Sequence, residues 1–124
     1  MEIPSIIFNH MVEYNHNDKL SMLLKAVSDS TRRALLTQLC QQGSSRVTDL
    51  ATHYEMSLNA ISKHIKVLEN AGLVRRTMRG RSHWIEADLD QTETMSNWLD
   101  SLKSIWSLRL DKLDEILNRE KTHE

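Results

Sequence analysis

A chain of 124 residues with a formal net charge of −1 is sized for one small domain, and part of its apolar surface is expected to be buried only when copies associate. Its one cysteine, Cys40, excludes an intrachain disulfide and fits a reducing, cytoplasmic setting. No apolar run approaches the ~20 residues that cross a bilayer, and no basic stretch precedes the first apolar residues, so neither a membrane span nor a secretory leader is expected.

In chain order, Ile3, Ile6, Ile7, Phe8, Met11 and Val12 make the N-terminus too apolar for a solvated tail. Residues 1–16 are therefore read as an arm or short helix packed against other helices. His10, Glu13 and His16 fall close together there, a pattern shared by metal ligands and, more often, by solvent-facing histidines. Leu20, Leu23, Leu24 and Val27 then mark a helix opened by Asn17 or Asp18. Leu35, Leu36, Leu39 and Cys40 mark the next, capped near Ser28 or Asp29 and stopped at Gly43. On that stripe Cys40 is expected to be an inert buried thiol, and it has no partner for a two-cysteine redox switch.

Ser45–Tyr54 reads as a short helix, because Val47, Leu50, Ala51 and Tyr54 recur at i, i+3, i+4 and i+7, with Ser44 or Ser45 as its cap. Only Glu55 and Met56 separate it from Ser57, a good N-cap for a second helix whose stripe is Leu58, Ile61, Ile65 and Leu68. Asn59, Lys63, Lys66 and Asn70 project from the opposite side, flanked by Ala60 and Ser62. Gly72 stands where helices end in a left-handed residue, followed by an apolar Leu73. A solvated amphipathic helix would explain this segment alone. Two short helices joined by about three residues, the second with a small polar and basic face, instead make a helix-turn-helix over residues 45–72. Such a face suits the major groove of double-stranded DNA, where base edges are read by hydrogen bonds and lysines neutralise phosphates. His64 lies at the edge of the buried side, where a phosphate contact and a structural hydrogen bond are equally open; His53 and His83 read as surface residues.

β character follows over 73–87: Leu73–Met78 and Ser82–Ala87, joined across Arg79-Gly80. The hairpin carries Arg75, Arg76, Arg79 and Arg81 and would form a wing, with tip arginines placed for a minor groove or its phosphates. Charge is distributed accordingly. Between Leu58 and Trp84 stand Lys63, Lys66 and those four arginines against Glu69 alone, whereas Ile85–Glu124 holds 10 acids and 5 bases. The basic footprint is local, and the acidic tail should face away from DNA.

The last element is a long helix, Gln91–Arg119, within a C-terminal segment of about 90–119. Met95, Trp98, Leu99, Leu102, Ile105, Trp106, Leu110, Leu113, Ile116 and Leu117 keep three-and-four spacing throughout. A small domain cannot readily cover both tryptophans and so long a stripe, so the helix is expected to pack on a second copy in a two-fold homodimer. The fold class expected is mainly α, a winged helix-turn-helix with a small β-hairpin wing and a long C-terminal dimerisation helix, all in one domain.

The segments VSDSTRRALLTQL, VTDLATHYEMSLNAISKHIKVLENAGLVRR and RGRSHW resemble the ArsR-type (ArsR/SmtB-type) bacterial winged-helix transcriptional regulators, over about Leu20 to Leu89. The pattern shared across recognition helix and wing entry is Ser62, His64, Ile65, Leu68, Gly72, Leu73 and Val74. Ser30 departs from it, since relatives often have proline there, but serine is acceptable in a first helical turn. The resemblance implies a cytoplasmic DNA-binding homodimer, expected to repress by occluding a promoter, with dimer contacts through its first and last helices. The DNA-binding residues implied together with the reading above are Ser57, Asn59, Ala60, Ser62, Lys63, His64, Lys66, Arg79 and Arg81. Metal-sensing relatives carry paired cysteines where this chain has Arg46-Val47-Thr48-Asp49-Leu50, or Asp and His ligands on a last helix that here, over Gln91–Arg119, has no histidine. Neither familiar metal site is therefore expected, and no cofactor. A metal- or redox-responsive repressor with a non-standard site, and a winged helix serving only protein interaction, are the alternatives. No phosphate loop, nucleophile elbow or acid–base constellation suggests an enzyme.

Overall fold

The computed structural model describes residues 18–123, so the apolar arm with His10, Glu13 and His16, and the cap candidate Asn17, lie outside the described residues. The elements are α1 (residues 18–27), α2 (Ser30–Gln42), β1 (Ser45–Arg46), α3 (Val47–His53), α4 (Leu58–Asn70), β2 (Val74–Arg79), β3 (Ser82–Ala87), a 3-10 turn (Asp90–Thr92) and α5 (Glu93–His123). They divide into two compact units, one up to Thr94 and one from Met95 onward.

Local chemistry explains most of the boundaries in the first unit. Asp29 caps α2 by accepting the Arg32 N–H at 3.0 Å. Ser57 caps α4 by accepting the Ala60 N–H at 3.1 Å. At the far end of α4, Leu73 N–H reaches Leu68 O and Gly72 N–H reaches Glu69 O, each at 3.0 Å, closing a Schellman motif around Gly72 at φ +76°. The same pair of bonds ends α3, with Glu55 at φ +52° in the left-handed position. Leu73 and Leu68 are both buried, the apolar contact that accompanies such a cap.

A Cβ at residue 72 would also lie 3.0 Å from Gln91 Cγ. Gly72→Ala is therefore expected to destabilise the fold by about 1–2 kcal/mol, the cost of holding an L-residue left-handed, with the Gln91 side chain displaced. Urea unfolding checks this, and an unchanged midpoint would contradict it.

Leu23, Leu35, Leu50, Ile61, Ile65, Leu68, Leu73 and Ile85 are the large side chains buried almost completely. They come from α1 to α4, the turn after α4 and β3, and each contributes about 1.5–3 kcal/mol of transfer free energy. Tyr54 donates to Gln38 Oε1 at 2.7 Å, tying α3 to α2, and its burial pushes the hydroxyl pKa up.

Several expectations are corrected. Ser45 does not open a helix: Ser45 and Arg46 are extended and pair with Ile85 and Trp84, completing an antiparallel sheet of order β1-β3-β2. The α3 stripe starts only at Val47, and backbone pairing with β3 wins before it; neither Ser44 nor Ser45 caps the helix, whose N-cap residue is Arg46. In the hairpin, Arg79 pairs with Ser82, so the turn residues are Gly80 and Arg81 rather than Arg79 and Gly80. Gly80 has φ +63°, as the first central residue of a type II′ turn requires. Leu58 is 54% exposed, because the core contacts of α4 begin one turn later at Ile61. Cys40 is exposed too: α2 buries only Leu35 and Leu39, and Cys40 lies about 100° further round the helix.

The second unit begins two residues into α5, a helix of 31 residues rather than the shorter span expected, entered through the 3-10 turn. Trp98, Leu99, Leu102, Ile105, Trp106, Leu110 and Leu113 are all exposed, with Met95 half-buried. The spacing of Met95, Leu99, Leu102 and Trp106 recurs 11 residues on as Trp106, Leu110, Leu113 and Leu117. An 11-residue repeat follows a nearly straight helix more closely than a heptad does, so a helix of the same kind could lie along the whole stripe without left-handed supercoiling.

Candidate nucleic-acid interface

The core-facing residues Ile61, Ile65 and Leu68 fix the rotation of α4, and that rotation presents Asn59, Lys63 and Lys66 to solvent. Ala60, Ser62 and His64 are half-buried beside them. Lys63 has no acidic partner among the described residues, whereas Lys66 Nζ lies 3.9 Å from Glu69 Oε1. Ser57 is exposed, with its oxygen engaged in the cap.

His64 is held from behind. Its Nδ1 is 3.3 Å from Arg32 Nη1 and 3.9 Å from Asp29 Oδ2. Arginine only donates, so the Arg32 contact requires Nδ1 as acceptor and the ring proton on Nε2. Arg32 also donates from Nε to Ala26 O at 2.8 Å and from Nη2 to Lys25 O at 2.9 Å. One guanidinium thus satisfies carbonyls at the end of α1 and touches α4. The Arg32 N–H, and then the neighbouring Arg32 charge, hold the Asp29 carboxyl below the ordinary range against some desolvation. That stabilisation is present above the usual carboxylate pKa and is lost as pH falls through the lowered one.

The four hairpin arginines are not equivalent. Arg75 reaches Glu86 and Asp88, each at 3.4 Å, and Arg76 meets Glu69 at 3.4 Å. Arg79 and Arg81 have no acidic partner among the described residues, which leaves the positive charge at the tip. Arg79 places its guanidinium 4.5 Å from the centre of the Trp84 ring, and Arg46 stands 6.0 Å from the same ring. A cation over an indole gains about 0.5–1 kcal/mol at an exposed site, enough to bias the Arg79 rotamer. Helical and strand periodicity do not single out Trp84, although the hairpin register carries the signal. Arg79 opposes Ser82, so Trp84 is its diagonal neighbour and within reach of a long side chain.

Among the described residues, no three His, Cys, Asp or Glu side chains form a group that could hold a metal ion, and no helix is long and apolar enough to cross a membrane.

Comparison with known proteins agrees with this geometry. The sequence profile described as "Bacterial regulatory protein, arsR family" matches residues 29–76. The chain is 32% identical over 75 residues to the arsenical resistance operon repressor of Bacillus subtilis (strain 168), covering 60% of this chain and 70% of that protein. It is 28% identical over 80 residues to the transcriptional repressor SdpR of the same organism, covering 64% of this chain and 88% of the relative. Among solved structures, an ArsR-like transcriptional regulator from Rhodococcus sp. RHA1 superposes with a TM-score of 0.70 at 29% identity, over 81% of this chain and 93% of that one. A homodimeric winged helix-turn-helix DNA-binding domain from Mycobacterium bovis shares the fold, with a TM-score of 0.58 at 21% identity over 79% of this chain and 87% of its own. The chain belongs to the arsR family of bacterial regulatory proteins, a family of DNA-binding transcriptional regulators.

Proposed function

We propose that the protein is a homodimeric, cytoplasmic repressor that binds a two-fold operator and blocks transcription without a metal at either of the family's familiar sites. The observation that carries this reading is the pairing of a capped, core-anchored α4 presenting Asn59, Ser62 and Lys63 with a hairpin whose Arg79 and Arg81, unlike Arg75 and Arg76, have no acidic partner among the described residues. In this reading Asn59, Ala60 and Ser62 meet base edges. Lys63, Lys66, Arg79 and Arg81 supply base or phosphate contacts, and Ser57 and His64 hold the helix in place beside the backbone. The repressor activity of the Bacillus relatives supports the sign of regulation. The exposed stripe of α5, from Trp98 to Leu113, supports the homodimer, as does the homodimeric Mycobacterium bovis neighbour. In this reading the chain acts as one functional domain, with α3 and α4 as the helix-turn-helix, the β2–β3 hairpin as the wing and α5 as the dimer helix.

Selecting bound fragments from the source genome, then titrating a selected duplex against a random one, tests the proposal. A preference of at least about a thousandfold is expected of a specific regulator; equal affinity for both duplexes would defeat it. Operator affinity should change little on adding a chelator or low-micromolar Zn²⁺, because Val47–Leu50 offers no thiolate and Gln91–Arg119 no imidazole. A large metal-dependent loss that persists when His10 and His16 are changed to Ala would contradict that independence.

A further inference from the structure

Leu58 is the first residue of α4, and it is not part of the core. It is 54% exposed, while the next three apolar residues on its side of the helix, Ile61, Ile65 and Leu68, are at most 1% exposed. It lines an open groove together with Thr48 at the start of α3, Ser62 one turn on, and Arg81 and Ser82 of the wing. The other apolar side chain in that groove, Val47, is buried at 6% exposure. An accessible apolar group therefore stands among hydrogen-bonding and cationic ones, at the end of a recognition helix that meets base edges.

Resting on the reading of α4 as the recognition helix, we propose that Leu58 is a specificity residue that reads the C5-methyl group of a thymine. The major-groove edges of the four base pairs present acceptors and donors, and their one apolar feature is that methyl group. Leucine can offer no hydrogen bond to guanine, adenine or cytosine. Set against those edges it would strip water from polar atoms without replacing the bond, which discriminates against them as well as favouring thymine. Asn59, its exposed neighbour, supplies the hydrogen-bonding readout alongside.

The test uses the full chain and a duplex selected from the source genome, with each thymine replaced in turn by deoxyuridine, which lacks only the methyl group. One thymine in each half-site should show a roughly three- to tenfold loss of affinity, the scale of one methyl group returned to water. Leu58→Ala should bind the thymine and uracil duplexes equally at that position and keep the wild-type response at the others; alanine at an exposed helical position leaves the fold intact. No methyl-sensitive thymine for the wild-type protein, or the same sensitivity retained in Leu58→Ala, would overturn the assignment. Failure to select any duplex would overturn the regulator reading itself, and this inference with it.

Discussion

Trp106→Glu is expected to turn the protein from a dimer into a monomer at micromolar concentration, and Leu102→Glu should do the same. Trp106 is 63% exposed and Leu102 46% exposed within one chain, so a glutamate at either place leaves the monomer's core untouched. In the proposed dimer both positions would fall in a seam formed by the Met95–Leu117 repeat. Burying an unpaired carboxylate there costs about 3–5 kcal/mol, and 4 kcal/mol weakens a dimer Kd by roughly a thousandfold. Operator binding should fall with it, because the second half-site is then no longer held at high effective concentration. Sedimentation of the variants and the unmodified chain is the check, with circular dichroism to confirm that α5 remains helical. A monomeric mass for the unmodified protein at micromolar concentration would rule the dimer out.

The second large effect separates reading from gripping. Asn59 lies in the first turn after the Ser57 cap, where recognition helices meet base edges. Asn59→Ala should cost about 1–3 kcal/mol on the operator and little on random DNA. Arg79→Ala should weaken both and make the salt dependence shallower by about one unit for each phosphate that Arg79 neutralises. Trp84→Ala should reproduce part of the Arg79 effect, since the indole sits 4.5 Å from that guanidinium. Titrations on both duplexes at several salt concentrations resolve the two roles. Equal losses for Asn59→Ala on both duplexes would take that residue out of base readout, and an unchanged Arg79→Ala would take the wing out of binding.

The features legible in the sequence were those set by neighbouring residues. Ser57 and Asp29 announce helix starts because a short side-chain oxygen reaches an N–H three residues on, and Gly72 announces a stop because a left-handed residue is needed there. The family pattern around Ser62, His64 and Gly72 was legible for the same reason. Features set by distant partners were not. Ser45 and Arg46 become a strand only because β3 offers them an edge, and β3 follows nearly 40 residues later. Leu58 and Cys40 sit at the margins of their stripes, where burial depends on what a neighbouring helix happens to cover. Of the four wing arginines, the sequence could not say that Arg75 and Arg76 are occupied by carboxylates across the hairpin and on α4. The turn into α4 gave no glycine signal, since Glu55 takes the left-handed position itself. Which side of α4 faces solvent was legible because three core residues set its rotation; that carboxylates occupy two of the four wing arginines was not.

A two-fold dimer that sets a recognition helix in each of two successive major grooves must leave a footprint with a dyad. Hydroxyl-radical and methylation footprints of the full chain on a selected duplex measure that arrangement itself. The expected result is a dyad-symmetric pair of protected major-groove segments whose centres lie about 10–10.5 base pairs apart, with flanking minor-groove protection that disappears in Arg79→Ala. A single protected segment without a dyad, or protection that slides with no fixed register, would contradict it.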